Sequence, residues 1–374
     1  MKTVFIGFLL LVGVSAAGQQ TIPSSIEQLV TAQFEKEHIQ SGIVHVYSKS
    51  RGLNIQWANS KEDTITTHSP FYTASITKLL TATAIGILQD QKKLHFDDSV
   101  AQYLPPSLLN KLHVLDGNEY SNDITLAHLL QHTSGLPDYF TDTTTDNSPN
   151  VINQLLLKPN KVWSPEELIQ FTKDKMTPHF KPGLGHYYTD TGYVLLALVV
   201  ETVSDMPFHQ FLHRHVFQPL GMTHSYINLK STPIDKSLPM AAFYAGTHKL
   251  SAIPSLSADW GGGGLVSTTQ DLITFFKAYH ADDLLQKETR LMMQNWVDET
   301  VGMHYGFGIR KVSFSNLLDT ETSLHVLGHS GSTASFLWYC PELDTYVSGT
   351  LNQLEASKNA LLLVYDILHV IENN

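Results

Sequence analysis

The chain carries β-type runs at its two ends and helical periodicity between them, and few architectures accept that order. Near the start, Ile43-Val44-His45-Val46-Tyr47 and Leu53-Asn54-Ile55-Gln56-Trp57 flank Ser50-Arg51-Gly52, the pattern of a hairpin. Near the end, Leu324 to His329, Phe336 to Tyr339 and Thr345 to Leu351 read as strands, with Pro341-Glu342-Leu343-Asp344 as the turn of a second hairpin. From about 76 to 225 the apolar residues instead recur at helical spacing. This order predicts an α/β (α+β) fold: an antiparallel sheet flanked by helices, built from N- and C-terminal segments, with an inserted all-helical subdomain. The α/β part is expected at about 22–72 and 228–374, and the helical part at about 73–227.

Several helices announce their ends. Residues 24–40 read as an amphipathic helix with a serine cap. Ser164-Pro165-Glu166-Glu167 has a cap followed by proline at the first helical position. Gly135-Leu136-Pro137 stops the helix that begins near Ile124, and Thr268 to Tyr279 and Ser357 to Ile371 form later helices. Tyr193 to Val203 is apolar enough to be buried, whereas 141–150 has no apolar periodicity and reads as a mobile loop.

At 374 residues and 42% hydrophobic, the chain can bury a large core. Lys2, the apolar run Val4 to Val14 and Ser15-Ala16-Ala17-Gly18 make a secretory signal peptide over 1–17, with cleavage after Ala17, or after the adjacent Ala16 or Gly18. The mature chain, 18–374, is then expected to be exported, periplasmic or secreted, with no membrane span. A net charge of −11 without a basic patch argues against nucleic acid. The lone Cys340 excludes an internal disulfide and reads as a small core residue.

Chemistry concentrates at Thr73-Ala74-Ser75-Ile76-Thr77-Lys78. Three residues apart on a helix, Ser75 and Lys78 share a face. The positive end of the helix and burial both disfavour an ammonium at Lys78, which makes it a candidate proton acceptor for a serine nucleophile. Ser75 N–H, unpaired in a first turn, can face an oxyanion. Taken alone, Ser-x-x-Lys is common in helices. His209, His213 and His215 have helical spacing suited to a metal, but lack the glutamate of a His-Glu-x-x-His site and read as an amphipathic helix. Gly261 to Gly264 lacks the Lys-Ser/Thr of a phosphate loop and reads as a close backbone passage.

Three stretches in order resemble the serine β-lactamase and penicillin-recognising DD-peptidase superfamily, its class C-like branch most of all: Ser75-Ile76-Thr77-Lys78, Tyr188-Thr189-Asp190 and His329-Ser330-Gly331. Leu129-Leu130-Gln131-His132-Thr133-Ser134-Gly135-Leu136, Pro219-Leu220-Gly221-Met222 and Gly262-Gly263-Gly264-Leu265 are similar too, so the likeness spans nearly all of the mature chain. The resemblance implies a serine hydrolase that works through an acyl-enzyme and needs no cofactor. Ser75 would be the nucleophile, with Lys78 and Tyr188 sharing the base role. The backbone N–H groups of Ser75 and Ser332 would form the oxyanion hole, and Asp190, His329, Ser330 and Gly331 would meet the substrate. Small amides or esters are implied, D-amino-acid or D-Ala peptides among them. A β-lactamase or an esterase is the alternative, and a non-catalytic ligand-binding or sensor module is the rival of another class.

Two residues depart from the common pattern. His329 stands where many β-lactamases have lysine, and a histidine offers a substrate carboxylate a charge only below about pH 6.5. A preference for carboxylate substrates should then fade as pH rises through neutrality. Asp190 stands where asparagine is usual, and an aspartate only accepts hydrogen bonds. It can pair with Lys78, opposing the helix effect, or receive an N–H from a substrate amine.

Overall fold

A computed structural model of the chain describes residues 21–374 apart from 37, 62 and 63. The apolar N-terminal run and the Ala17 cleavage site lie outside the described residues.

The expected first hairpin is strand β1 (Ser41–Ser48) with β2 (Leu53–Ser60), and Gly52 turns between them at φ +63°. The next strands of this sheet come only near the C-terminus. They are β3 (Val297–Thr300), β4 (Met303–Tyr305), β5 (Arg310–Ser313), β6 (His325–Ser330), β7 (Ser335–Cys340) and β8 (Thr345–Thr350). The order is β3-β4-β5-β6-β7-β8-β1-β2, antiparallel throughout, so β8 docks on β1 and joins the two ends of the chain. The short strands β3 to β5 were not anticipated.

Strand residues alternate between the two faces, because the side-chain period of a strand is two. Val44, Val46, Trp338 and Val347 pack under the terminal helices α1 (Ile22–Phe34) and, at the other end of the chain, Ser357–Glu372. Ile43 and Leu337 face the opposite way, into the larger core. That core is built around α2 (Thr77–Asp90), in which every residue from Thr77 to Leu88 is buried. A helix enclosed on all sides fixes whatever its first turn carries. Truncating a residue such as Leu80 to alanine would cost about 2–5 kcal/mol.

Two further helices shape the site: α3 (Val151–Leu157) and α4 (Asp190–Ser204). Helix α4 starts three residues before Tyr193, because Thr189 accepts a bond from Thr191 N as its cap. The segment Pro165–Lys175 opens on the expected capping box, Ser164 and Glu167 bonding reciprocally. Helix α1 stops at Phe34, short of the expected 40. The 141–150 loop is tied down: Thr144 Oγ1 donates to Ser148 O at 2.6 Å and Lys175 pairs with Asp146 at 2.5 Å.

Candidate active site

Ser75 sits at a junction of three backbones. The chain arrives along Phe71–Tyr72, which pairs with Leu265–Ser267. Ala74 then takes φ +47°, a left-handed conformation that costs a non-glycine residue about 1–3 kcal/mol. The turn Ala74–Ile76 leads into α2. Thr77 locks it by donating to Ala74 O at 2.7 Å and accepting from Leu265 N at 2.9 Å. From the other side, Thr333 Oγ1 donates to Tyr72 O and Ser335 Oγ to Thr73 O. This approach needs Gly331: a Cβ there would lie 2.3 Å from Thr73 O. Neither Ser75 N nor Ser332 N has a hydrogen-bond acceptor among the described residues, as an oxyanion hole requires.

Lys78 is fully buried, and its three N–H donors are all used. Nζ lies 3.2 Å from Ser75 Oγ, 2.5 Å from Asp190 Oδ1 and 2.9 Å from Gly262 O. Of the two expectations for Asp190, the structure shows the pairing with Lys78. Lys78 is thus paired with a carboxylate, not isolated as its helix position alone suggested. Asp190 opens α4, where the helix dipole favours a carboxylate. The glycine passage is explained by the same contact, since a Cβ on Gly262 would come within 2.2 Å of Asp190 Oδ1.

Tyr188 is half-buried beside Ser75, with its hydroxyl enclosed and making no hydrogen bond of good geometry among the described residues. Lys78 Nζ lies 4.9 Å from its ring centroid, and the Arg310 guanidinium 4.8 Å. Arg310 is itself held by Glu299 through Nε and Nη2, at 2.8 and 2.6 Å. Burial, then the charge of Asp190, push the Tyr188 phenol well above its ordinary value, against the pull of Arg310 and Ser75. The resting side chain is therefore a neutral hydroxyl. His132, at φ +59°, lies under the ring with centroids 4.2 Å apart and accepts from Thr189 N at 3.1 Å. It ends its helix, as read from sequence, and also seats Tyr188.

His329 does not fit the expected charge-presenting role. Its Nδ1–H donates to Ser330 O at 2.6 Å and its Nε2 accepts from Tyr305 Oη at 3.0 Å. The ring is fully buried, and burial, Arg310 and Lys78 push its pKa well below the usual value. A neutral imidazole with both nitrogens occupied offers no cation to a substrate carboxylate. The physical reason is Tyr305, which arrives on the unanticipated strand β4. Beyond Gly331, it is Ser332 and Thr333 that line the cavity.

That cavity, about 470 Å³, is lined by Ser75, Tyr188 and Asp190. Two acids missed in the sequence also line it, Asp138 and Asp259. Asp138 follows the helix stop at Pro137, and Asp259 precedes the glycine passage, so both lay beside stretches already singled out. The 470 Å³ space suits a small molecule.

The Beta-lactamase family profile matches residues 26–370. Penicillin-binding protein 4* of Bacillus subtilis (strain 168) is 28% identical over 65% of this chain and 52% of its own length. A putative D-alanyl-D-alanine carboxypeptidase of Escherichia coli (strain K12) is 24% identical over 72% of this chain and 66% of its own. The chain thus spans about half to two-thirds of the length of these curated relatives. D-amino acid amidase from Ochrobactrum anthropi SV3, solved with D-phenylalanine, has the same fold, with a TM-score of 0.76 at 19% identity over 94% of this chain and 99% of that one. Matched by its profile across nearly all of its length, the chain belongs to the Beta-lactamase family.

Proposed function

We propose that the protein is a serine hydrolase that cleaves small amides or esters through an acyl-enzyme on Ser75. The observation that carries this reading is the contact of Ser75 Oγ with Lys78 Nζ at 3.2 Å, beside the Tyr188 hydroxyl and the two amides, Ser75 N and Ser332 N, that have no acceptor among the described residues. Ser75 Oγ attacks the carbonyl carbon while its proton enters the Lys78–Tyr188–Asp190 set. Lys78 can pass a proton to Asp190 across their 2.5 Å contact as it receives that of Ser75, so charge is conserved. An asparagine at 190 could not take that proton. The Ser75 and Ser332 N–H groups receive the oxyanion. The leaving amine or alkoxide departs with a proton from the same set, and water then releases the acyl group.

Amides or peptides of D-amino acids lead the substrate reading, supported by the carboxypeptidase relative and by the amidase that shares the fold. Export belongs to the same proposal, resting on Lys2, Val4 to Val14 and the small residues before Gly18. Among the described residues no single helix is long and apolar enough to cross a membrane.

A turnover screen of the purified protein tests this. It includes a D-amino-acid amide, a D-Ala-D-Ala peptide, a short-chain ester and a β-lactam. Amide or ester hydrolysis is expected, with a loss of about 10³-fold or more in Ser75→Ala. Stoichiometric acylation without turnover would point to a sensor, and activity that survives Ser75→Ala would refute the reading.

A further inference from the structure

The cavity beside Ser75 is short of positive charge. Three carboxyls line it, Asp138, Asp190 and Asp259. Among the described residues, Lys78 makes the one ion pair to any of them, and that pair is with Asp190. Every N–H of Lys78 is spent on Ser75, Asp190 and Gly262. Among the described residues, Asp138 has only neutral donors, Asp190 N at 3.0 Å and Thr141 Oγ1 at 2.6 Å. Asp259 Oδ2 accepts from Tyr72 Oη at 2.7 Å, which leaves Oδ1 for something else. Buried carboxyls are ordinarily paired with a cation or fully hydrogen-bonded.

Both uncompensated acids stand one step from the chemistry. Asp138 holds the backbone N–H of the residue that pairs with Lys78, and Asp259 lies against the glycine passage, where a Cβ on Gly263 would come within 3.1 Å of its Cγ. The buried Tyr188 hydroxyl, also on the cavity wall, faces Ser75 and makes no hydrogen bond of good geometry among the described residues. Phe140, Leu155, Phe243 and Leu256 give the wall an apolar part, alongside Thr141, Tyr187, Ser332 and Thr333.

We propose that the substrate carries a primary ammonium group near its scissile carbonyl, held between Asp138 and Asp259, with an apolar side chain against Phe243 and Leu256. The substrate class is then amides or esters of amino acids with a free amine and a bulky apolar side chain. This rests on the Ser75 reading and moves amine recognition from Asp190, which is committed to Lys78, to its two neighbours. Burial, with repulsion from Asp190, pushes Asp138 up to about 7 and Asp259 up to about 6, as expected of acids awaiting a counter-charge.

The test compares phenylalanine p-nitroanilide, of each hand, with 3-phenylpropanoyl p-nitroanilide, which differs only in lacking the amine. The wild-type protein should prefer the better amine-bearing hand by about 30-fold or more in kcat/KM, the scale of one buried charge contact. In Asp138→Asn and in Asp259→Asn that ratio should fall by about tenfold or more, mainly through KM. Equal use of amine and des-amino substrates by the wild type, or a ratio unchanged in both variants, would overturn the proposal. Labelling of Ser75 by a fluorophosphonate probe separates the two levels. Labelling without amine preference defeats this proposal alone, whereas failure to label defeats the Ser75 reading beneath it.

Discussion

Lys78→Met should lower kcat/KM by about 10³-fold or more and also destabilise the fold by roughly 3–5 kcal/mol. The activity loss follows from the 3.2 Å contact with Ser75 Oγ, which no other amine can replace in a site this enclosed. The stability loss has a separate origin. Removing the ammonium leaves Asp190 next to Asp138 and Asp259 with no cation among them. The two effects should come apart in the double variant Lys78→Met/Asp190→Asn. It removes the stranded charge and should recover most of the stability in urea unfolding, yet none of the activity. Activity within tenfold of wild type in Lys78→Met would show that Lys78 does not move the proton.

Stability should also depend on pH through Asp138 and Asp259. Burial raises both carboxyls, to about 7 and about 6, so the native state keeps protons that the unfolded chain releases near pH 4. Where the folded state binds more protons, stability falls as pH rises. The contribution of these two groups is therefore full below about pH 4 and is lost by about pH 7, a change of a few kcal/mol. The buried His132 and His329 act in the opposite sense, since their lowered pKa values make stability rise with pH up to about 6.5. The wild-type profile mixes these trends, and Asp138→Asn isolates one of them. Its Tm relative to wild type should climb between pH 5 and pH 8. A constant difference across that range would mean that Asp138 is not held protonated by its surroundings.

What the sequence disclosed and what it hid follow one division. Ser75 and Lys78 lie within one helical turn, so local spacing was enough to bring them together, whereas Tyr188 was reached only through the resemblance of Tyr188-Thr189-Asp190 to the second motif of the family. The β1–β2 hairpin and β6 to β8 were legible because they alternate or run apolar between clear turns. Strands β3 to β5 were not, because they are short and carry Asp298, Glu299, Arg310 and Lys311. Missing them hid Tyr305 and Arg310. It was Tyr305 that turned His329 from an expected charge into a neutral wall residue. The uncompensated acids were hidden for another reason. Asp138 and Asp259 are 121 positions apart. Only the packing of the glycine passage against α4 brings both into the cavity with Asp190.

The central claim is that Ser75 carries an acyl group. Intact-mass spectrometry tests it most directly, on protein quenched during turnover of a slowly deacylating ester and then digested for peptide mapping. The expected result is one acyl mass added per chain, located on the peptide containing Ser75, decaying as product forms and absent from Ser75→Ala. Hydrolysis without an adduct, or an adduct that persists in Ser75→Ala, would contradict it.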